Sequence, residues 1–572
     1  MAADYPPLTQ GEIDELFIQV EPPAPNTFEF ALVLGGTVSA GAYTAGAVDF
    51  LIEALDCWTT ARDKHDAPAP QHRVLLKLVT GTSGGGVNAV IAARALAYDF
   101  PHVVRATPHA DRDTGNPFYE TWINRLTLNG FLGTSDIDQG KLVSLLDGKP
   151  IDDGAAYLRD FASGEPIERS YLGDPFRVIL TLTNLRGVPY KTPFGDDTLA
   201  ETFVDHADYA RFAVVYPGRS LSKPRPDEFV IGFDNARLPQ AIDWQAFSQF
   251  ARATSAFPLG FPFRQLSRPT VHYRYRVAVL PPGSAGEPAR VIGRQPDWPE
   301  LSEGSPDLPL DYHFLAVDGG ATDNEPIELG RTALAGVLGR NPRNPKTANR
   351  AVVLIDPFAG RTGLGPTGPT PLPDLVGAIV STFIEQTRYD SEDLLLAADP
   401  NVFSRFMITP KLDGRVGGEA LASDGLGAFL GFARPAFKRH DYLLGRANCQ
   451  EFLRSTFVLH QGNPIFQGDV WTAEQRQSLG VTIEGERYLP IIPLLGDAAV
   501  PETRDPWPRH LLNPSIYRDA IEKRFKAIAE FEGSGGIVSG TASWLVAHLG
   551  EGAVTDLVIN AMNKALKDSD LN

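Results

Sequence analysis

The chain has 572 residues, of which 43% are hydrophobic and 21% charged, a composition typical of a globular protein with the length of about two to four domains. Its formal net charge of -18 argues against nucleic acid as a partner, because phosphate binding needs clustered Lys and Arg, and it disfavours strong attraction to an anionic membrane. With no signal-peptide pattern, no apolar run of about 18 residues and only two cysteines, Cys57 and Cys449, the sequence predicts a soluble, cytoplasmic protein with buried, reduced thiols.

Two strand-turn-helix units follow one another near the N-terminus. The apolar run 28–34 predicts a buried strand, and the glycine-rich turn after it leads into Ala45, Val48, Leu51 and Leu55 at helical spacing. A second strand, at 74–79, leads through another glycine turn into a helical pattern at 87–97. Serial units of this kind predict an α/β fold with a central, mostly parallel sheet wrapped by helices.

The rest of the chain predicts further strands and then helices. Strand-like runs occur within and after an insertion-rich section between about 105 and 300, at 176–185, 313–317 and 351–358. The segment 357–373 is dense in Gly and Pro and predicts a linker. The remainder is mainly helical, with three amphipathic stretches that we expect to pack against the body: Val376, Ile379 and Phe383; residues 517–531; and Val554, Val558, Ala561 and Ala565.

Residues 79–88, VTGTSGGGVN, place Ser83 between a predicted strand and a predicted helix. Residues 81–85 fit the G-x-S-x-G pattern, which describes a sharp turn that lifts a nucleophilic serine above the end of a sheet. Gly81, Gly84 and Gly85 are the small neighbours that this turn needs, and the helix N-terminus favours an anion beside Ser83. The pattern alone is weak, since a chain of this length shows it by accident in roughly one case in five.

A second Gly-Thr-Ser, at 133–135, provides an internal comparison. It is followed by Asp136 rather than by glycines, and no strand pattern leads into it. Ser135 or Asp136 therefore reads as the N-cap of a helix, a position that favours both residue types. We predict no catalytic role for this serine.

Residues 34–43, LGGTVSAGAY, form another strand-to-helix turn. Backbone N–H groups in such a loop can converge on one point and stabilise the oxyanion of a tetrahedral intermediate. A phosphate cradle is the alternative. The loop lacks both the G-x-G-x-x-G order of dinucleotide sites and the Gly-Lys-Ser/Thr ending of a P-loop, which argues against a nucleotide.

Residues 314–330, FLAVDGGATDNEPIELG, place Asp318 at the end of a predicted strand, before Gly319 and Gly320. A carboxylate at a strand end can act as general base toward a nucleophile on another strand. The alternative is an Asp-Gly turn without catalytic function, which is common in any chain.

Taken in this order, the three stretches resemble the patatin-like phospholipase family over roughly residues 28–331. LGGTVSAGAYTAGAV is similar to its oxyanion loop and first helix, GTSGGGVNA to its nucleophile elbow, and DGGATDNEP to its Asp-Gly-Gly motif. Softer matches are NPFYETW (116–122) and ARATSAFPLGFPF (251–263). The resemblance implies a patatin-like α/β domain at 28–331. The residue patterns beyond it predict the last sheet strand and a linker at 332–372, and a mainly helical C-terminal region at 373–572 whose role no pattern predicts.

The resemblance implies a lipid acyl hydrolase with a catalytic pair, Ser83 as nucleophile and Asp318 as its proton acceptor, and no histidine, metal or cofactor. The implied substrate is a phospholipid or another fatty acyl ester, met at a transient membrane or lipid surface. The family's oxyanion donors correspond to backbone amides of Gly35, Gly36, Thr37, Val38 and Gly84. An aspartate with an ordinary pKa of about 3.9 is a weak base at pH 7, so a site that raises this pKa would favour the mechanism.

This chain departs from the family's oxyanion loop at three positions, so the sequence predicts the type of reaction more closely than it predicts the substrate. The family usually has more glycine there and often an Arg before the last one, where this chain has Thr37, Val38 and Ala40. Two alternatives stay open: transfer of the acyl group to an alcohol instead of water, and a weakly catalytic protein that binds lipid or a partner through its C-terminal half. The presence of Ser83 and Asp318 weighs against the second. The oligomeric state is not predicted.

Overall fold

The computed structural model describes residues 6–64, 69–107, 113–138, 144–193, 200–219, 224–233, 241–284, 286–302, 308–359, 367–368, 395–397, 399–533 and 551–572. The predicted linker 357–373 lies partly outside these residues, and the amphipathic stretch of Val376, Ile379 and Phe383 lies wholly outside them. The domain boundary near 373 therefore stays a prediction.

The predicted central sheet is present and is mostly parallel. Its order is β12-β11-β1-β2-β3-β10-β6, with β4 and β9 also pairing with β3, and β5 pairing with β4. The pairs β1–β2, β1–β11, β2–β3 and β11–β12 are parallel, whereas β10 runs antiparallel to β3. The described strands are β1 Thr27–Leu34, β2 Arg73–Gly81, β3 Leu172–Pro193, β4 Ala200–Val215, β5 Glu228–Gly232, β6 Arg264–Pro269, β7 Val277–Leu280, β8 Arg290–Gly293, β9 Gln295–Pro296, β10 Asp311–Asp318, β11 Arg350–Ile355, β12 Arg405–Ile408, β13 Lys411–Leu412, β14 Arg415–Val416, β15 Val458–His460, β16 Val481–Ile483 and β17 Glu486–Pro490.

Helices cover the sheet, as predicted, whereas in the described part of the C-terminal region fewer than half of the residues lie in α-helices, with loops and short strands between them. The described α-helices are α1 Gln10–Ile13, α2 Gly41–Asp63, α3 Ser83–Ala95, α4 Pro117–Tyr119, α5 Leu128–Phe131, α6 Ser135–Asp138, α7 Lys149–Asp160, α8 Trp244–Thr254, α9 Trp298–Leu301, α10 Ile327–Ala335, α11 Pro435–Ser455, α12 Ala473–Leu479, α13 Arg518–Gly533 and α14 Glu551–Asp568. Within the part of the chain that the structure describes, no helix is both long and apolar enough to cross a membrane.

The register of the strands brings three turns to one edge of the sheet. Leu34, the last residue of β1, pairs with Gly81, the last residue of β2, so the two glycine-rich turns leave the sheet side by side. Strand β3 pairs with β2 through Leu180 at Gly81 and then continues beyond that edge. Strand β10 runs back along this extension and ends with Asp318 opposite Leu182. An antiparallel strand thus delivers a residue to the carboxyl edge of the parallel strands.

The C-terminal region packs on the same core. Helix α11 lies against helix α2, where the fully buried Arg446 is paired with Asp49, Glu53 and Glu502. Strand β12 adds an edge strand to the central sheet. The expected packing of the last two amphipathic stretches is confirmed, because α13 and α14 bury Ile521, Ile559, Met562, Ala565 and Leu566 in one apolar cluster. Of the two free cysteines, Cys449 is buried as expected, whereas Cys57 is partly exposed beside Gly496.

Candidate active site

Ser83 stands on a tight turn between β2 and α3. Strand β2 ends at Gly81 and α3 begins at Ser83 itself, four residues earlier than the pattern 87–97 predicts. The φ angle of Ser83 is +53°, in the left-handed region that non-glycine residues seldom adopt. Its amide donates a hydrogen bond to Thr254 Oγ1 at 3.0 Å, which holds the strained turn in place. The predicted strand-to-helix turn is therefore present.

The glycines after Ser83 allow helix α3 to lie directly against the end of β1. A Cβ atom built on Gly85 would be 2.2 Å from the carbonyl oxygen of Leu34 and 2.5 Å from that of Gly35. A Cβ atom on Gly84 would be 2.2 Å from Thr37 Oγ1. Any side chain at either position would push the helix away from the sheet, so these two positions need glycine for close approach rather than for an unusual φ.

Asp318 and Ser83 lie in direct contact although they are 235 positions apart. Ser83 Oγ is 2.7 Å from Asp318 Oδ2, and the Gly320 amide donates to Asp318 Oδ1 at 2.8 Å. Burial raises the pKa of Asp318 from 3.8 to about 7, and the hydrogen bonds from Ser83 and Gly320 oppose this rise. Gly319 packs against Thr181, where a Cβ atom would be 2.2 Å from Oγ1.

The segment 251–263 holds both members of this pair. Thr254 Oγ1 accepts the Ser83 amide, and the carbonyl oxygen of Ala256 accepts the Asp318 amide at 2.9 Å. Thr183 Oγ1 also donates to the Asp318 carbonyl oxygen at 2.8 Å. The sequence of this segment is a soft match to the family, but Thr254 and Ala256 do not stand out in it, because an ordinary Thr and a backbone carbonyl carry no sequence signal of their own.

The glycine-rich loop 35–41 lies beside Ser83, but its amides differ in what they contact. Gly35 donates to the carbonyl oxygen of Ile355 at 3.2 Å, and Gly36 donates to that of Asn324 at 2.9 Å. Gly84, from the elbow, donates to the carbonyl oxygen of Thr37 at 3.2 Å. Within the described residues the amides of Thr37 and Val38 donate to no acceptor. Of the five amides proposed from the resemblance, these two are free to bind an oxyanion in this conformation.

The Ser83 hydroxyl has two acceptors within reach. Besides Asp318 Oδ2, the carbonyl oxygen of Thr37 lies 3.1 Å from Ser83 Oγ. When Asp318 is ionised it accepts the Ser83 proton, and when it is protonated it can donate to Ser83 Oγ while the serine donates to Thr37. The contact with Thr37 therefore accommodates both protonation states of the carboxyl group.

A mostly apolar pocket opens beside Ser83. Its empty volume is about 750 Å³, which includes space open to solvent. Within the described residues its lining includes no histidine, and Arg252 is its one charged member. Trp122, from the soft match 116–122, is held by a hydrogen bond to Asn88 Oδ1. The apolar lining residues are Val38, Val87, Val90, Trp122, Leu126, Phe131, Ile151, Ala155, Leu158, Ala251, Phe257, Phe261 and Phe432.

The C-terminal region contributes to this site, which no sequence pattern indicated. Phe432 forms part of the pocket wall, with its ring 4.9 Å from that of Phe131. The carbonyl oxygen of Ala428 accepts hydrogen bonds from both the amide and the hydroxyl of Ser39, in the glycine-rich loop. Ala428 and Leu426 both have positive φ angles, of 68° and 56°, so a strained turn holds this loop.

Comparisons with known proteins show the family of the chain. The family model described as patatin-like phospholipase matches residues 32–330. The chain is 33% identical over 548 residues to the protein called "Uncharacterized protein y4iI" from Sinorhizobium fredii, an alignment that covers 88% of this chain and 76% of the relative. Among solved structures, VipD from Legionella pneumophila aligns over 96% of this chain and 88% of its own, at 10% identity and a TM-score of 0.17, which is too low to carry an argument.

Proposed function

Since the chain belongs to the patatin-like phospholipase family, we propose that it is a lipid acyl hydrolase in which Ser83 attacks the ester carbonyl and Asp318 accepts the serine proton. The observation that carries this proposal is the 2.7 Å contact between Ser83 Oγ and Asp318 Oδ2 at the wall of an apolar pocket. The apolar lining suits a fatty acyl chain, which binds by burial of its surface rather than by hydrogen bonds.

The first half-reaction forms an acyl-enzyme. As Ser83 Oγ bonds to the ester carbonyl carbon, its proton passes to Asp318, and the carbonyl oxygen becomes an oxyanion. The free amides of Thr37 and Val38 and the N-terminus of α3 would stabilise that charge. Asp318 then gives the proton to the departing alcohol oxygen as the carbon–oxygen ester bond breaks.

The second half-reaction returns the enzyme to its starting state. Asp318 takes a proton from water as the water oxygen attacks the acyl carbon, and it returns that proton to Ser83 as the fatty acid leaves. A pKa of about 7 suits this alternation, because the same group must accept and release a proton near neutral pH. An ordinary aspartate would release the proton too readily.

We also propose that the protein contacts a lipid surface around the mouth of the pocket. Phe257 and Phe261 line the pocket, while Leu259 and Phe263, from the same turn, are 44% and 38% exposed. The φ angle of Leu259 is +65°, which a leucine rarely adopts, so Leu259→Asn keeps the backbone and removes the apolar contact. This variant should bind phosphatidylcholine vesicles less tightly in a flotation assay, and unchanged binding would contradict the contact.

The catalytic assignment is tested by labelling with a fluorophosphonate followed by mass mapping of the modified peptide. Ser83 should carry the label, and Ser83→Ala should abolish both labelling and release of fatty acid from phosphatidylcholine vesicles. Ser135→Ala is the matched control, because it removes a second serine hydroxyl that lies 2.7 Å from a buried aspartate oxygen, and it should leave labelling intact. Added lysophospholipid separates hydrolysis from transfer, since a transacylase would convert it into a new diacyl lipid.

A further inference from the structure

We propose that the side-chain hydroxyl of Thr37 is a third oxyanion donor, so that Thr37 is a catalytic residue through its side chain as well as through its amide. This inference rests on the proposed function. It concerns a residue that departs from the family pattern, in which the loop usually has glycine and therefore has no side chain to contribute.

The Thr37 hydroxyl is buried and has no hydrogen-bond partner. Thr37 is 4% exposed, and its Oγ1 contacts neither a donor nor an acceptor among the described residues. Buried hydroxyl groups are nearly always paired, so an unpaired one in a native fold calls for an explanation. A ligand atom that accepts its hydrogen bond would remove the cost of leaving it unpaired.

The position of Thr37 Oγ1 indicates which ligand atom that is. Thr37 lines the same pocket as Ser83 and Gly84. Its Oγ1 lies so close to Gly84 that a Cβ atom built there would be 2.2 Å away. The Gly84 amide already donates to the Thr37 carbonyl oxygen, but the free amides of Thr37 and Val38, which we propose as oxyanion donors, lie in the same loop beside Ser83. Thr37 Oγ1 therefore borders the place where the ester carbonyl oxygen becomes charged.

Other unpaired hydroxyls do not share this position. Thr121 also lines the pocket with an unpaired Oγ1, but no contact in the described structure places it beside Ser83 or Gly84. Thr44 Oγ1 is unpaired and fully buried in helix α2, and Thr44 does not line the pocket. Thr44 thus provides a matched control for the loss of a buried, unpaired hydroxyl.

In this proposal the Thr37 side chain acts only as a hydrogen-bond donor. Its hydroxyl rotates about the Cβ–Oγ1 bond and donates to the carbonyl oxygen as negative charge develops there. No proton is transferred and no covalent bond to Thr37 forms. The hydrogen bond strengthens as the oxygen becomes charged, so it stabilises the transition state more than the bound ester and should affect kcat rather than KM.

Thr37→Val is the decisive variant because valine keeps the β-branched backbone preference and nearly the same shape, and replaces only the hydroxyl, by a methyl group that cannot donate a hydrogen bond. We expect kcat on a soluble fatty acyl ester to fall on the order of 100-fold with KM nearly unchanged, and fluorophosphonate labelling of Ser83 to slow in parallel. The Tm should stay the same or rise, since an unpaired polar group is removed. Thr37→Ser, which restores the hydroxyl, should recover most of the wild-type kcat.

Thr44→Val should leave kcat unchanged. If Thr37→Val fails to fold, Thr37→Ala compared with Thr37→Ser isolates the hydroxyl in the same way, since both lack the methyl group. Wild-type kcat in Thr37→Val, or an equal loss of kcat in Thr37→Ser and Thr37→Ala, would overturn the inference. Failure of the wild-type protein to label at Ser83 would instead overturn the proposed function, and that result is obtained before any Thr37 variant is made.

Discussion

The tripeptide Gly-Thr-Ser occurs twice in this chain, and in both places the serine hydroxyl contacts a buried aspartate. Ser83 Oγ lies 2.7 Å from Asp318 Oδ2, and Ser135 Oγ lies 2.7 Å from Asp147 Oδ2. Judged by the tripeptide and by this one distance alone, the two pairs are the same. Their surroundings differ in backbone strain, in the number of donors at the carboxylate and in what lies beside the serine.

At the second pair the carboxylate is fully occupied by structural hydrogen bonds. Asp147 accepts from the amides of Ser135 and Lys149 as well as from the Ser135 hydroxyl, so it ties helix α6 to the start of α7. Neither Ser135 nor Asp147 lines the pocket, and the φ angle of Ser135 is not positive. A serine–aspartate contact alone therefore does not indicate catalysis. The serine also needs a pocket through which an ester carbonyl group can reach it, and unpaired hydrogen-bond donors close to its hydroxyl.

The largest expected difference between the two pairs is kinetic. Asp318→Asn should lower kcat on a soluble ester on the order of 10⁴-fold, because the amide cannot accept the Ser83 proton. Asp318→Ala is needed as a second variant, since an Asn-Gly sequence slowly deamidates back to Asp. Retention of more than a tenth of the wild-type kcat in both variants would show that another group is the base.

A second difference lies in stability, with opposite signs at the two aspartates. The pKa of Asp318 is raised from 3.8 to about 7, so between these values the folded protein holds a proton that the unfolded chain has lost. Its contribution to the free energy of unfolding is thus fully present below pH 4 and is lost as pH rises through 7. Asp318→Asn should be more stable than wild type at pH 8 by up to about 4 kcal/mol, and much less so at pH 4.

Asparagine fits one site and not the other. At Asp318 its amide group can donate to Ser83 Oγ while the serine donates to Thr37, and its oxygen still accepts from Gly320. At Asp147 both oxygens accept from backbone amides, so an asparagine NH₂ would face another donor. Asp147→Asn should therefore lose stability at both pH values. Urea denaturation of both variants at pH 4 and pH 8 measures this, and a parallel change in the two would contradict the comparison.

The pH dependence of activity is the third way to separate the pairs. Below pH 7 a growing fraction of Asp318 is already protonated and cannot accept the proton of Ser83. We therefore expect kcat/KM to fall about tenfold per pH unit and to reach roughly 1% of its plateau at pH 5. Ser135→Ala should show the same profile as wild type. A flat profile between pH 5 and pH 8 would mean that Asp318 is not the titrating base.

Much of this site was predictable because short, local sequence patterns determine its geometry. The turn at Ser83 needs a strand, small residues and a helix in sequence, and all three are visible in residues 74–97. The parallel order of β1 and β2 follows from two serial strand-turn-helix units. That Asp318 reaches Ser83 depends instead on β3 extending past the edge of the sheet and on β10 returning antiparallel, which no local pattern encodes.

Two further features depend on contacts between distant backbone atoms and left no trace in residue type. The Ala428 carbonyl that holds Ser39, and the Ala256 carbonyl that holds Asp318, would serve equally well from almost any residue. The sequence also does not show which amides of the loop 35–41 are free to donate. They look equivalent in sequence, but those of Gly35 and Gly36 already donate to backbone carbonyl oxygens. The pKa of Asp318 likewise follows from burial by segments that meet only in the fold.

The smallest expected effect belongs to Ser135→Ala. It tests the comparison directly, because this substitution should change stability and leave activity unchanged. Ser135→Ala removes one of the three donors to Asp147, while the amides of Ser135 and Lys149 remain. The free energy of unfolding should fall by about 1 kcal/mol, the net value of one hydrogen bond whose acceptor stays satisfied. Urea denaturation should show a lower midpoint with an unchanged slope, and kcat should equal that of wild type. A loss of kcat without a loss of stability would mean that Ser135 acts in the reaction, and that the strained turn, the free amides and the pocket beside Ser83 do not distinguish a catalytic serine from a structural one.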